Sequence, residues 1–310
     1  MSVGALTSGA DAYLRVRSPA KLSIIVAVQH AQENVPDIVR AVRPILRPEV
    51  ELIFCHTSAD PDVPMLAGKE EQTSIICCAE GSLIPHLWRD GILAARGERV
   101  GTTTAHCIPV VGWVDAALAA DLEQTAVLAG TIENDPLADP TGRAIFLQRY
   151  AAFAPPQEKH GIHEPAADNA LYRRSDLLRH MDLLQHGFWE PSFHKRFRAD
   201  GSSFALDPKL RVIHRNRYSA RQYMCQRLAH GREFGFTRAS GRPILHRLIL
   251  VFLALGVFPL LLGRIWRRAL INPALSKQLV TGCLWLPLFV FAWAAGEMMG
   301  YVASLRRRKL

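Results

Sequence analysis

Short apolar runs alternate with helix-compatible segments over the first half of the chain. Two segments, 34–46 and 83–96, are compatible with helices. Five runs are predicted to form strands: 21–28, 50–55, 73–78, 98–104 and 125–132. The first has the β-branched, apolar composition of a strand buried on both faces of a sheet. This order of elements predicts an α/β sandwich with a mostly parallel sheet.

Polar loops follow three of the expected strands, at 55–60, 103–109 and 132–140. In an open α/β sheet, ligands bind at the carboxyl ends of the strands. We therefore expect these loops to contribute to one ligand site. The loop at 103–109 contains His106 but no carboxylate.

The pattern changes after residue 150. The segment 187–201 fits an amphipathic helix with Phe193 and Phe197 on one face, four residues apart. A second amphipathic segment, 217–236, is basic on one side and comes directly before a long apolar run. Such a segment is suited to lie on anionic lipid.

Two long apolar runs, at 248–263 and 279–305, make up most of the C-terminal part. A helix that crosses a bilayer needs roughly 20 apolar residues, so the second run is long enough and the first is marginal. Arginines lie between the runs and after the second one, which favours a membrane anchor over a pair of buried soluble helices. Pro259 allows the first run to be re-entrant or interfacial, so the number of crossings stays open.

The net charge of +9 is confined to this C-terminal part. Residues 1–220 carry 23 Lys and Arg against 26 Asp and Glu, whereas residues 221–310 carry 14 against 2. These basic residues flank apolar helices, which does not fit a nucleic-acid-binding surface. For a cell-membrane protein with such an anchor, the positive-inside rule predicts that residues 1–240 lie on the cytoplasmic side.

Together these patterns predict four parts of the chain. They are an N-terminal extension at 1–20, an α/β domain at 21–216, a basic interfacial helix at 217–243 and an anchor of two hydrophobic helices at 244–310. The extension lacks the features of a signal peptide. The six cysteines show neither CxxC spacing nor a disulfide framework, in agreement with a reducing compartment.

Five segments in a fixed order carry a family resemblance: LSIIVAV, ELIFCHTSAD, RDGILAARGERVGTTTAHCIPVVGW, DNALYRRSDLL and GFWEPSFHKRFRADG. Over roughly residues 20–240 the chain resembles the family 2 inverting glycosyltransferases of the GT-A fold. The resemblance implies a nucleotide-sugar donor, an acceptor that is a lipid or a polysaccharide, and membrane lipids as partners.

The family's acidic residues are mostly replaced in this chain. The nucleotide-binding aspartate of the family falls near His56, and the metal-binding DxD motif falls on Thr104, Ala105 and His106. Neither threonine nor a single imidazole suits Mg²⁺ or Mn²⁺. No cofactor is therefore certain, and a divalent metal is doubtful. His106 either donates a hydrogen bond to a donor phosphate or caps the next turn.

The resemblance assigns Glu190 as the catalytic base, and its apolar neighbours would raise its pKa for that role. The alternative is a helix N-terminal glutamate that stabilises the helix dipole. Trp189 is a candidate for stacking on a sugar ring. The other candidates are His56, Thr104, His106, Glu133 and Asn134 for the donor, and Asp168, Asn169 and Arg227 for the acceptor or a phosphate.

Loss of the DxD acids supports a competing function, a degenerate GT-A domain that binds a glycan or a partner without turnover. Retention of Glu190 next to Trp189 favours a membrane-associated glycosyltransferase.

Overall fold

The computed structural model describes residues 20–42, 48–123, 125–155 and 164–306. An eight-stranded mixed sheet lies at its centre, in the order β3-β2-β1-β4-β7-β6-β8-β5. Its strands are β1 (Leu22–Ala27), β2 (Val50–His56), β3 (Thr73–Cys77), β4 (Arg99–Thr104), β5 (Cys107–Pro109), β6 (Thr125–Asn134), β7 (Asn169–Arg173) and β8 (Ser203–His214).

Strands β1 to β4 are parallel to one another, as the order of strands and helices along the chain predicted. In the register, Ala27 of β1 is opposite both Cys55 of β2 and Thr104 of β4. These three strands therefore end together at one edge. Strand β7 runs antiparallel between β4 and β6, which makes the sheet mixed. The run predicted at 125–132 is the sixth strand, because Cys107–Pro109 form a short strand before it.

Helices cover both faces of the sheet. They are α1 (Val35–Val42), α2 (Val63–Ala67), α3 (Ile84–Ala94), α4 (Trp113–Ala119), α5 (Pro140–Tyr150), α6 (Arg174–Arg179), α7 (Met181–Leu184), α8 (Glu190–Ala199), α9 (Ala220–Ala239), α10 (Ile244–Leu253), α11 (Val257–Ile271), α12 (Pro273–Gly282) and α13 (Trp285–Arg306). The predicted helix at 34–46 is seen as α1, and residues 43–46 lie outside the described residues.

Each face of the sheet has its own apolar core. One face packs on α3 and on the helices around α8, where Phe193 and Phe197 are buried as predicted. The other face packs on α1, α4 and α5 and also takes up residues of the C-terminal helices, including Ile265, Phe289 and Val290. The C-terminal helices thus share a core with the α/β domain.

Helix α9, the proposed interfacial helix, packs along α13 with direct backbone contact. A Cβ added at Gly231 or Gly235 of α9 would lie 2.4 or 2.3 Å from a carbonyl oxygen of α13. Conversely, a Cβ at Gly296 or Gly300 of α13 would lie 2.3 or 2.1 Å from a carbonyl oxygen of α9. Only glycine permits so close an approach of two helices.

Two helical stretches are long and apolar enough to cross a membrane on length and composition alone, Ile244–Ile271 and Trp285–Arg306. The first is open to the surroundings, with 17% of its most apolar window buried, whereas 44% of the second is buried against the rest of the chain. The first stretch consists of α10 and α11 joined by a 3-10 turn at Ala254–Gly256.

Candidate active site

A cavity of about 1000 Å³ lies between the α/β domain and the C-terminal helices. The start of α3, the end of α5 and the start of α8 form its walls on the side of the sheet. Helices α9, α11 and α13 close it from the other side. Four of the residues singled out from the sequence line this cavity: Asp168, Trp189, Glu190 and Arg227.

Glu190 is the first residue of α8 and lines the cavity next to Trp189. Burial, followed by the negative charge of Asp168, raises the pKa of Glu190 to about 7. A glutamate at a helix start is expected to have a lowered pKa, because the N-terminal end of the dipole favours the carboxylate. Burial outweighs that effect here. The carboxyl group therefore has the proton affinity of a base that works near neutral pH.

Trp189 precedes Glu190 and is held in place by its indole nitrogen, which donates to the His186 carbonyl oxygen at 3.2 Å. Its ring contacts those of His86 and His230 edge-on, at centroid distances of 6.3 and 6.0 Å. An indole held in place on the cavity lining provides a flat apolar surface suited to a sugar ring.

Asp168 links the cavity to the end of β4. Its Oδ1 accepts hydrogen bonds from Arg149 Nη2 at 2.7 Å, from the Tyr150 hydroxyl at 2.7 Å and from the Thr104 hydroxyl at 3.3 Å. Thr104 occupies the position at which the family resemblance expects the first acid of the DxD motif. The carboxylate thus places the Arg149 guanidinium next to that position.

Two buried side-chain nitrogen atoms in this part of the cavity lack a hydrogen-bond partner within the part of the chain that the structure describes. Among the described residues, none accepts from Arg149 Nη1 or bonds to His230 Nε2. Arg227, on α9 like His230, bonds only to the neutral side chain of Gln226 and lies over the rings of Tyr223 and Trp293. Buried polar atoms are normally paired, so these groups fit an anionic ligand such as a diphosphate.

His106 is fully buried and does not line the cavity. Its Nε2 donates to the Gln29 carbonyl oxygen at 3.1 Å, and its ring stacks on Tyr218 at a centroid distance of 4.3 Å. Burial, followed by the charge of Arg149, lowers the pKa of His106 to about 3. The ring is therefore neutral at pH 7. The phosphate contact considered from the sequence is not formed by this geometry, because the protein itself surrounds the imidazole.

Asn169 also differs from its expected role as an acceptor contact. Its Oδ1 accepts from the Trp113 indole at 2.9 Å, and its Nδ2 donates to the carbonyl oxygens of Thr131 and Leu210. These bonds join strands β6, β7 and β8 to α4, and Asn169 does not line the cavity.

Three other candidates lie away from the cavity lining. Glu133 pairs with Arg211 at 3.3 Å, and Asn134 donates to Gln278 of α12 at 2.8 Å. His56 is buried at the end of β2, with its Nδ1 3.0 Å from the Thr57 carbonyl oxygen.

The residues at the end of β4 do not fit a divalent metal ion. Thr104 is bonded to Asp168, Ala105 has no ligand atom, and the imidazole of His106 is enclosed. Throughout the described residues, no group of three or more His, Cys, Asp or Glu side chains could hold a metal. Arg149, which the sequence did not indicate, places a positive charge at this position.

The sequence analysis also missed His230, Arg264 and Arg268, all of which line the cavity. Arg264 and Arg268 are four residues apart on α11, so helical spacing alone places them on one face. Nothing in the local pattern around Arg149 or His230 distinguished these residues from surface groups.

Neither a protein-family profile nor a curated protein sequence matches this chain. Among solved structures, it resembles the mannosyltransferase PcManGT from Pyrobaculum calidifontis, which was determined in complex with GDP-Man and Mn²⁺. The two chains are 16% identical, with a TM-score of 0.52, and the likeness covers 92% of this chain and 87% of that one. A weaker likeness, with 12% identity and a TM-score of 0.44, covers 69% of this chain and 79% of glucosyl-3-phosphoglycerate synthase from Mycobacterium tuberculosis. At such identities a likeness concerns the fold. The predicted fold is confirmed: the chain is a GT-A α/β sandwich with a mostly parallel sheet and C-terminal apolar helices.

Proposed function

We propose that this chain is a membrane-associated glycosyltransferase of the family 2 inverting type, which moves a sugar from a nucleotide-sugar donor to an acceptor hydroxyl. The observation that carries the proposal is the position of Glu190, a carboxyl group with a pKa of about 7 in a cavity that also holds the Nη1 of Arg149, which is unpaired among the described residues.

In the proposed reaction the Glu190 carboxylate takes the proton of the acceptor hydroxyl. The acceptor oxygen attacks the anomeric carbon, and the bond from that carbon to the donor phosphate breaks on the opposite side. The nucleoside diphosphate leaves with the electron pair. Attack from one side and departure from the other invert the anomeric centre.

The developing charge on the leaving diphosphate needs stabilisation. Arg149 and Arg227 supply permanent positive charge in the cavity, and His230 supplies a further ring nitrogen. Preorganised donors of this kind lower the barrier because they need no rearrangement during the reaction. Trp189 would orient the sugar by stacking.

The proposal puts the site on the cytoplasmic side of the cell membrane. Arg306 at the end of α13 and the basic residues that follow it in the sequence support this side, because basic segments at membrane-helix ends are retained in the cytoplasm.

The test is to offer the full chain in detergent a panel of nucleotide sugars and to measure both binding and release of nucleoside diphosphate. A donor at 100 times its dissociation constant should stabilise the fold by about 2.7 kcal/mol. Stabilisation together with release that depends on Glu190 supports transfer. Binding with no release in the presence of lipid and saccharide acceptors would instead support the non-catalytic function suggested by the missing DxD acids.

A further inference from the structure

The cavity has a polar part near the sheet and an apolar part near the surface. Asp168, Glu190 and Arg149 belong to elements of the α/β domain. On the opposite side, α11 contributes apolar side chains, among them Leu260 and Leu261. Leu260 is 59% exposed although it lines the cavity, so it lies at the opening.

The apolar wall continues onto the outer surface of the C-terminal helices. Phe258 of α11 and Phe291 of α13 contact each other at 6.1 Å between ring centroids, and Phe291 is 61% exposed. Phe252 of α10, six positions before Phe258 in the sequence, is 72% exposed. Large exposed apolar surfaces mark contacts with lipid or partners. Both helical stretches involved are candidate membrane spans, so acyl chains are the natural cover.

Positive charge lies at the same opening. Arg264 and Arg268 line the cavity, are exposed and are four residues apart on α11. Like charges at this spacing repel each other unless an anion lies between them. No described carboxylate pairs with either of them, since Glu297 pairs with Arg238 at 3.5 Å and Glu164 pairs with His194 and Arg198.

We infer that the acceptor is an anionic membrane lipid that carries a phosphate ester and a free hydroxyl in its head group. The phosphate lies between Arg264 and Arg268, the hydroxyl reaches Glu190, and the hydrocarbon chains lie along α11 and α13. This inference rests on the proposed function and narrows its acceptor. The lipid hydroxyl oxygen forms the new bond to the anomeric carbon, Glu190 receives its proton, and the nucleoside diphosphate leaves.

The arrangement also distinguishes a lipid from a water-soluble phosphate. A free head group would gain the contacts with the two arginines but none with the apolar wall. Each CH₂ group that leaves water on binding raises the affinity by about fourfold. Even short chains should therefore raise the affinity strongly.

The binding test uses three probes on the full chain in a mild detergent. Dioctanoyl-phosphatidylglycerol has the phosphate, the hydroxyls and the chains; dioctanoyl-phosphatidylcholine lacks the net charge and the hydroxyls; glycerol 3-phosphate lacks the chains. We expect the first to bind at least about tenfold more tightly than either of the others. Equal affinity for the two lipids, or for glycerol 3-phosphate and phosphatidylglycerol, overturns the inference.

A pair of variants locates the site. R264Q/R268Q should lower the affinity for dioctanoyl-phosphatidylglycerol about tenfold or more and leave the weak binding of phosphatidylcholine unchanged. R267Q is the matched control, because Arg267 is exposed on the same helix but does not line the cavity. An equal loss in R267Q would show a general surface effect and contradict the site.

The activity test separates this inference from the proposed function. Protein in nanodiscs of phosphatidylcholine with added phosphatidylglycerol receives radiolabelled nucleotide sugars, and label is counted in the organic extract. Label in the extract supports both proposals. Transfer only to water-soluble acceptors leaves the transferase standing and overturns the lipid acceptor. Selective lipid binding with neither donor binding nor transfer rejects the transferase and with it the acceptor role of the lipid.

Discussion

Arg149 Nη2 lies 2.7 Å from Asp168 Oδ1, and this ion pair holds a guanidinium beside Thr104, at the end of β4. Tyr150 donates to the same oxygen, so the carboxylate is fixed from three directions. The pair supplies a permanent positive charge at the position where the resembling family would have its metal-binding acids.

We predict that donor binding survives EDTA and depends on Arg149. In R149Q the affinity for the donor nucleotide should fall by about 1.5–3 kcal/mol, the value of a lost charged hydrogen bond. R143Q is the control, since Arg143 is on the same helix but bonds to Thr281 outside the cavity. Calorimetry with and without EDTA makes the measurement, with melting curves to confirm folding. Strict dependence on a divalent metal would contradict the role of Arg149.

For Glu190 the expected result of E190Q is donor binding close to that of the wild type and turnover lower by about 100-fold or more. E164Q is the comparison, because Glu164 also lines the cavity but already pairs with His194 and Arg198. Since the carboxylate is the working form, the wild-type rate should rise with pH around a midpoint near 7. A flat profile with unchanged turnover in E190Q would move the base to another residue.

The raised pKa of Glu190 also predicts how the stability of the protein depends on pH. A carboxyl group with a higher pKa in the folded state than in the unfolded state adds most stability at low pH and loses that contribution as pH rises toward about 7. E190Q should therefore stabilise the protein by about 1 kcal/mol or more at pH 8, after allowance for partial exposure, and change little at pH 5. Thermal unfolding at the two pH values gives the comparison. Stabilisation of the same size at both pH values would show that charge burial is not the cause.

His106 should affect stability rather than donor affinity. Its folded-state pKa of about 3 is below the unfolded value of 6.5, so its contribution is present above pH 6.5 and is lost as pH falls toward 3. H106Q should reduce the loss of stability between pH 7 and pH 4 by about 1–3 kcal/mol. Denaturant unfolding measures this difference. A large drop in donor affinity in a variant of normal stability would return His106 to the donor site.

The close contact between α9 and α13 predicts that glycine-to-alanine substitutions differ strongly in their effect on stability, depending on whether the glycine lies in this contact. G300A should destabilise the protein by about 2 kcal/mol or more, because the added methyl group would meet the Arg232 carbonyl oxygen. G263A is the matched control on α11, where a Cβ meets nothing within 4 Å, and it should be neutral or slightly stabilising. Melting temperatures of the two variants test this. Equal stability would mean that the helices are less closely packed.

The sheet could be predicted from sequence because buried strands require continuous apolar runs, and those runs mark β1, β2 and β6 clearly. Glu190 and Trp189 could be predicted because they belong to one local segment. The contact between Asp168 and Arg149 could not be predicted from the sequence. Arg149 belongs to α5, and the contact depends on how that helix lies against β7. His106 shows the opposite case, because Tyr218, 112 positions later in the chain, covers a ring that looked available.

The glycine contacts between α9 and α13 have a mechanical consequence. Arg227 and His230 project into the cavity from α9, and Trp293 and Glu297 do so from α13. Because the backbones of these helices touch, the four side chains lie on one wall of the cavity whose two helices cannot approach each other further. In the membrane-associated protein that we propose, this helix pair would set the depth of Glu190 relative to the bilayer.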